Sequence, residues 1–155
     1  MKPEEIHHIG YIVKNLDEAL LSFEKLCGFK TDVVYEFAPL NAWNHGEKVD
    51  GIVLKIAMIE VSKGESVSRI ELIEPLKGVS YHKEIVDEGK EGINHICFSV
   101  SNYDEYKEAF LNEGCEILFE AETEDELFGY RRCMYAEDKT KGLVLEIKEE
   151  PYFRK

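Results

Sequence analysis

Two histidines and two glutamates carry the chemistry that this sequence offers. His8 opens the run HIGYIVKNLDE, residues 8–18, and His95 opens HICFSVSNYDE, residues 95–105. The runs align without a gap, with His, Ile, Val, Asn, Asp and Glu identical and Tyr11 matched by Phe98. Phe23 and Phe110 extend the match. Each half also closes on an apolar run with a central carboxylate: Glu71 in RIELIE, residues 69–74, and Glu146 in VLEIKE, residues 144–149. Two such matches in the same order indicate a duplicated module. Neutral imidazole nitrogen and anionic carboxylate oxygen together suit a divalent cation such as zinc, nickel, cobalt, iron or manganese. Two carboxylates neutralise a dication and so offset most of the cost of burying these charges. Four protein donors in a six-coordinate site leave two positions for water or a bidentate substrate, as a Lewis-acid enzyme requires.

Elements must bring the four together. Residues 6–13 alternate like a strand, and residues 17–27 place Ala19, Leu20, Phe23 and Leu26 at helical spacing, with acids in the first turn and Gly28 after the last. Strands follow at about 33–37, 51–61 and 68–74. The second half repeats this pattern: a strand at 94–100, a helix at 103–113, and strands at about 116–120, 130–136 and 143–149. Between the halves, residues 80–89 read as a short helix capped by Ser80. The stretch 38–50 reads as the longest irregular loop and 124–129 as the next. Strand parity sets Ile9, Tyr11 and Val13 against the helix and turns His8, Gly10 and Ile12 to the other face. His95, Cys97 and Ser99 fall on the matching face of the second half, and Glu71 and Glu146 likewise oppose their apolar neighbours. If the halves pack side by side, all four donors enter one concave space.

Composition narrows the function classes. The chain has 155 residues, 19 Lys+Arg and 32 Asp+Glu, for a net charge of −13, with 44% apolar and 11% aromatic residues. That fits one packed domain of α+β type, spanning residues 1–155, and disfavours nucleic acid or an anionic membrane as a partner. The longest apolar run, GIVLKIAMI, contains Lys55 and is too short to span a bilayer. Glu4 and Glu5 stand where a secretory signal needs its apolar segment. Cys27, Cys97, Cys115 and Cys133 are widely spaced, with no CxxC, and read as reduced thiols of a cytoplasmic protein.

The openings HHIGYIVKNLDEAL and GINHICFSVSNYDE, with the closings RIELIEPL and GLVLEIKEE, resemble the vicinal oxygen chelate superfamily (glyoxalase, bleomycin resistance, dioxygenase). The likeness is nearest to methylmalonyl-CoA epimerases and glyoxalase I-like proteins and covers residues 6–149. It implies two tandem βαβββ modules, at about 6–77 and 93–149 with a connecting helix at 80–89. These would form a mixed, curved, barrel-like sheet with helices outside. It further implies a divalent metal (zinc, nickel or cobalt, with manganese or iron as further options) held by His8, Glu71, His95 and Glu146, and a homodimer. The implied activity is that of an isomerase or lyase, removing an α-proton through a metal-stabilised enediolate, with Glu146 and its symmetry mate Glu71 as proton carriers. Glu71 stands where epimerases commonly have glutamine, as it does in glyoxalase I. The epimerase catalytic acid falls in the segment NAWNHGEKVDG, where Glu47 and Asp50 are the candidates.

Other residues have plainer readings. Lys55, Arg131 and Arg132 could meet a phosphate, carboxylate or CoA tail, or pair with surface acids. Trp43, His45 and Phe128 could close over a small-molecule substrate or simply pack their loops down. Parity puts His7 on the face opposite His8, His82 reads as exposed, and Cys97 reads as a pocket wall without an activating base. Two other functions compete: an iron(II) dioxygenase using His8, His95 and Glu146, against which Glu71 counts, and a non-catalytic drug-binding protein, which would not need the metal set.

Overall fold

The computed structural model describes residues 2, 3, 5–125 and 129–149. Strand β1 (Glu5–Ile12) leads into helix α1 (Leu16–Cys27) and strand β2 (Val34–Phe37). Next come β3 (Asn41–Asn44), β4 (Glu47–Val49), β5 (Val53–Lys63) and β6 (Ser66–Lys77). Helix α2 (Tyr81–Asp87) connects to β7 (Gly92–Val100), α3 (Tyr103–Asn112), β8 (Glu116–Asp125), β9 (Gly129–Asp138) and β10 (Leu143–Glu149). The ten strands form one mixed, curved sheet in the order β2-β5-β6-β1-β7-β10-β9-β8-β3-β4, and the three helices make this an α+β fold.

The duplication is visible in the register. β1 pairs parallel with β6 and antiparallel with β7, while β7 pairs parallel with β10. Gly10 stands opposite both His95 and Glu71, and Cys97 stands opposite both His8 and Glu146. The seam between β1 and β7 therefore carries a local twofold relation, and the four predicted donors flank it.

Helix α1 begins where Asn15 accepts a hydrogen bond from the Glu18 amide at 3.0 Å and ends at Gly28, whose φ of 73° only glycine adopts without strain. Its apolar face, with Ala19, Leu20 and Phe23, packs on Val13, Ala57, Ile59 and Leu72. α3 covers the second half in the same way, with Tyr103 and Tyr106 against Val100, Met134 and Ile147. Each large side chain buried in these layers contributes about 1.5–3 kcal/mol. Both layers lie on the outer face of the sheet, while a third apolar cluster, with Leu54, Ile56, Ile73, Phe119 and Tyr135, packs beside the site on the inner face.

One expectation fails here. Residues 38–50 are not an irregular loop, because β3 and β4 form a hairpin whose turn residues His45 and Gly46 have φ of 49° and 81°. Positive φ at both central positions gives the turn twist that matches antiparallel strands. The hairpin pairs with β8, in the other half of the fold, from Asn41↔Glu122 to Asn44↔Phe119. Only residues 38–40 separate β2, at one end of the sheet order, from β3, near the other. A link that short spans at most about 14 Å between its flanking strands, so the sheet has to curl into a half-barrel. The other expected loop shrinks, since β8 and β9 run on to residues 125 and 129.

Candidate functional site

The concave face of the half-barrel holds a cleft lined by His8, Glu71 and Glu146, and His95 meets these three at its floor. His8 and His95 are 1% and 2% exposed; Glu71 and Glu146 are 7% and 5% exposed. Their ligand atoms all lie within 4.8 Å of one another. Glu146 Oε2 is 3.0 Å from His8 Nε2 and 3.1 Å from His95 Nε2. The two Nε2 atoms are 3.4 Å apart, and Glu71 Oε1 is 3.4 Å from His8 Nε2.

These distances fit a cation better than a closed hydrogen-bond network. Two donors about 2.1 Å from one ion and at right angles to it stand about 3.0 Å apart. Glu146 Oε2 is buried and, despite the two nearby nitrogens, has no directed hydrogen bond. Such an orphaned anionic oxygen is costly unless a positive centre meets it. Burial alone would raise the Glu146 carboxyl pKa, but His8 and His95 outweigh it and hold the group well below the usual range. In His8, burial favours the neutral ring, yet Glu71 and Glu146 pull the pKa upward.

Both imidazoles are steered by the residue before them. Asn94 donates to the Tyr81 hydroxyl at 2.8 Å, which leaves its carboxamide oxygen 2.9 Å from His95 Nδ1. Nδ1 therefore carries the hydrogen and Nε2 offers its lone pair to the floor. In the first half His7 takes the corresponding place, with Nδ1 2.8 Å from His8 Nδ1. This corrects the parity reading of His7. A register shift between Ile6 and His8 makes His7 a bulge residue, and the bulge breaks the alternation that would have turned its side chain away. Burial, with help from Lys148, lowers the His7 pKa to about 3, so the ring is neutral, and its Nε2 lies 3.5 Å from Lys148 Nζ.

Gly10 is required by this packing. A Cβ there would fall 2.0 Å from Cε1 and Nε2 of His95. Its symmetry mate Cys97 is fully buried opposite His8 and does not line the cleft, and burial pushes its thiol pKa well up, which disfavours a nucleophilic thiolate.

His82 is a second correction. It is fully buried rather than exposed, lines the cleft and packs edge-on against Phe119 and Tyr135, with ring centroids 5.1 and 4.9 Å away. Neither of its ring nitrogens has a hydrogen-bond partner, and burial lowers its pKa to about 3. A seven-residue helix carries too short a periodicity to show which face it buries, so no sequence signal pointed to it.

The remaining candidates separate cleanly. Glu47, on β4, and Asp50, after it, are exposed and do not line the cleft, so the structure brings neither to the donors. Lys55 pairs with Asp17 at 2.9 Å. Arg132 reaches the cleft wall, but its guanidinium is held by Asp104, through two contacts of 2.9 Å, and by Glu149 at 2.7 Å. Arg131 and Lys148 line the cleft. Trp43 lies under Lys48, and His45 bonds Glu84 and Glu116, so both fasten the hairpin. Phe128 lies outside the described residues.

The model of the glyoxalase/bleomycin resistance protein/dioxygenase superfamily matches residues 7–131. The chain belongs to this superfamily. No curated protein matches it by sequence. Among solved structures, the superfamily fold recurs in a Streptomyces coelicolor methylmalonyl-CoA epimerase variant in complex with 2-nitronate-propionyl-CoA. That structure has a TM-score of 0.63 and 20% identity, covering 96% of this chain and 99% of that one. A methylmalonyl-CoA epimerase from Mycobacterium tuberculosis gives a TM-score of 0.58 at 19% identity, covering 96% and 89%. A hypothetical protein from Bacillus halodurans gives 0.61 at 21%, covering 94% of each chain. At these identities the likeness is one of fold. Among the described residues, no helix is long and apolar enough to cross a membrane.

Proposed function

We propose that this superfamily member is a metal-dependent isomerase or lyase that moves an α-proton, of the epimerase or glyoxalase type, with His8, Glu71, His95 and Glu146 holding the metal. The observation that carries the reading is the convergence of four buried donors on one point, with an anionic oxygen that has no directed hydrogen bond at its centre. A dication held there stabilises negative charge developing on a substrate oxygen. The residues do the rest. Asn94 and His7 fix the imidazole orientations, and the aromatic wall of Phe119 and Tyr135 keeps water from the reacting carbon. Of the two carboxylates, Glu146 is the more tightly engaged, contacting both histidines, whereas Glu71 has one contact of 3.4 Å. Glu71 is therefore the one to swing toward substrate, take the proton and return it, while Glu146 anchors the set. The presence of four donors rather than three speaks against an iron(II) dioxygenase, which needs open positions for both substrate and oxygen.

The test is solvent-deuterium incorporation into a panel of acyl-CoA thioesters and 2-oxoaldehyde hemithioacetals, with metal content measured on the same protein. A responsive substrate should gain deuterium at its α-carbon. Glu71→Gln, which keeps an oxygen donor, should retain metal and lose at least 100-fold in exchange. Exchange by Glu71→Gln at the wild-type rate would remove Glu71 from the role, and purified protein that takes up no divalent metal would end the reading.

A further inference from the structure

The cleft wall contains one imidazole that the proton-transfer reading does not use. His82 sits there between Phe119 and Tyr135, its ring at 83° to the first and 90° to the second. Tyr135 in turn stands 4.7 Å from His95 between ring centroids, so a single aromatic ring separates His82 from the donors. The chain fixes this imidazole through its neighbours. Ser80 caps α2 by accepting from the Lys83 amide at 3.1 Å, and Tyr81 is tied to β7 by the 2.8 Å bond from Asn94. Glu84 accepts from Asn44 of the hairpin at 2.8 Å. His82 is thus held firmly in place, yet among the described residues neither of its ring nitrogens has a hydrogen bond, and the ring is fully buried. A buried N–H or lone pair left unmet costs free energy, and a position that asked only for bulk would be served better by phenylalanine or leucine. Burial lowers the pKa to about 3, so the ring presents one N–H and one lone pair rather than a charge.

We infer that His82 is a specificity-determining residue that hydrogen-bonds a hydroxyl of the substrate inside the cleft. A hydroxyl fits either tautomer of the ring, since it can accept from an N–H or donate to a lone pair. A charged group would lose its water against Phe119 and Tyr135 and find no opposite charge on the imidazole to offset the loss. The inference rests on the proton-transfer reading for the other end of the molecule and deepens it. Besides the oxygens that chelate the metal, the substrate carries an uncharged hydroxyl a few bonds away. Such a contact discriminates more sharply than a hydrocarbon one, because a molecule without the hydroxyl leaves the buried nitrogen unmet.

The probes are 1-butanol and 1-fluorobutane, which differ in little but the hydroxyl, titrated by NMR into metal-loaded and metal-stripped protein with nitrogen-15 in its histidines. Butanol should bind about five- to tenfold more tightly than fluorobutane and shift the ring nitrogens of His82. His82→Phe, which keeps the ring packing, should remove that preference and leave fluorobutane unchanged. His82→Gln, which keeps a donor and an acceptor, should restore part of the preference, and it is the variant to use if the first fails to fold. A His82 that merely packs the wall would leave the ratio of the two affinities unmoved by either substitution, and that result overturns the inference. Equal binding of the two probes by the wild type overturns it as well. Butyrate or butylammonium losing more affinity than butanol on His82→Phe would overturn the choice of a hydroxyl. The two proposals fail separately. A protein that takes up no metal but keeps the His82-dependent preference sinks the catalytic reading alone, and one that holds its metal and exchanges α-protons without that preference sinks the His82 inference alone.

Discussion

Gly10→Ala tests the proposed metal centre without replacing any of its four donors. Gly10 has ordinary negative-φ backbone, so alanine brings no conformational strain, only a methyl group where the His95 ring lies. The new Cβ would stand 2.0 Å from two ring atoms, and ordinary contact begins at 3.4 Å, so the imidazole has to retreat by about 1.4 Å. Metal–ligand bonds tolerate about 0.2 Å, and the same movement breaks the 3.1 Å approach to Glu146 and the 2.9 Å bond that His95 Nδ1 donates to Asn94. Loss of a partner that merely orients a ligand costs about 10- to 100-fold in metal affinity, so displacing the ligand itself should cost at least 100-fold, or about 2.8 kcal/mol. Overpacking adds a stability loss of about 1–3 kcal/mol, and the variant should still fold. The assay is competition for zinc or cobalt against a chromophoric chelator, with circular dichroism confirming the fold. Cys97→Ala, at the symmetry-related position where a Cβ already exists, is the control and should keep its affinity. A folded Gly10→Ala protein that binds metal like the wild type would refute the claim that His95 is held where the structure puts it.

Three further outcomes follow from the same geometry. Because burial lowers the His82 pKa to about 3 against 6.5 unfolded, the unfolded chain binds the extra proton and stability falls as pH drops through that window. By pH 4.5 the loss is about 2–3 kcal/mol, and in urea titrations at pH 7 and 4.5 His82→Leu should be less acid-sensitive by that amount; equal sensitivity would place the His82 ring in water. Hydrogen bonds donated by the ring to Glu84 and Glu116 raise the His45 pKa, so its hold on the hairpin is complete below pH 6.5 and lost as pH rises through the raised value. Amides of β3 and β4 should exchange faster at high pH than base catalysis alone explains, and His45→Gln should abolish the excess. Chelation of the metal-loaded protein should lower its melting temperature, with a stability loss of about 2.7 kcal/mol where free metal had stood at a hundred times the dissociation constant; an unchanged melt would mean that the donors do not bind it.

The convergence of His8, Glu71, His95 and Glu146 was legible in the sequence because duplication states each residue type twice and strand parity says which face each occupies. The same parity gave Ile9, Tyr11 and Val13 to the outer layer, where Tyr11 meets Phe23 at 6.4 Å between ring centroids. What the sequence hid lay where those rules lapse. A single inserted residue turned His7 toward His8 instead of away from it. The hairpin of residues 41–49 is too short and polar to announce itself as strands, and its partner β8 lies far along the chain. The cleft walls depend on which of ten strands become neighbours, which no local periodicity states.

Residues 38–40 work as a clasp. A ribbon of strands with two unfastened margins could gape, splaying its walls to admit a bulky guest; here the polypeptide itself is buckled from one margin to the far side. Molecules must therefore thread the open mouth of the hoop, and their girth is limited by covalent circumference rather than by the strength of any contact. A single proteolytic nick within the clasp would leave every donor in place and yet let the hoop spring, widening what the protein can accept.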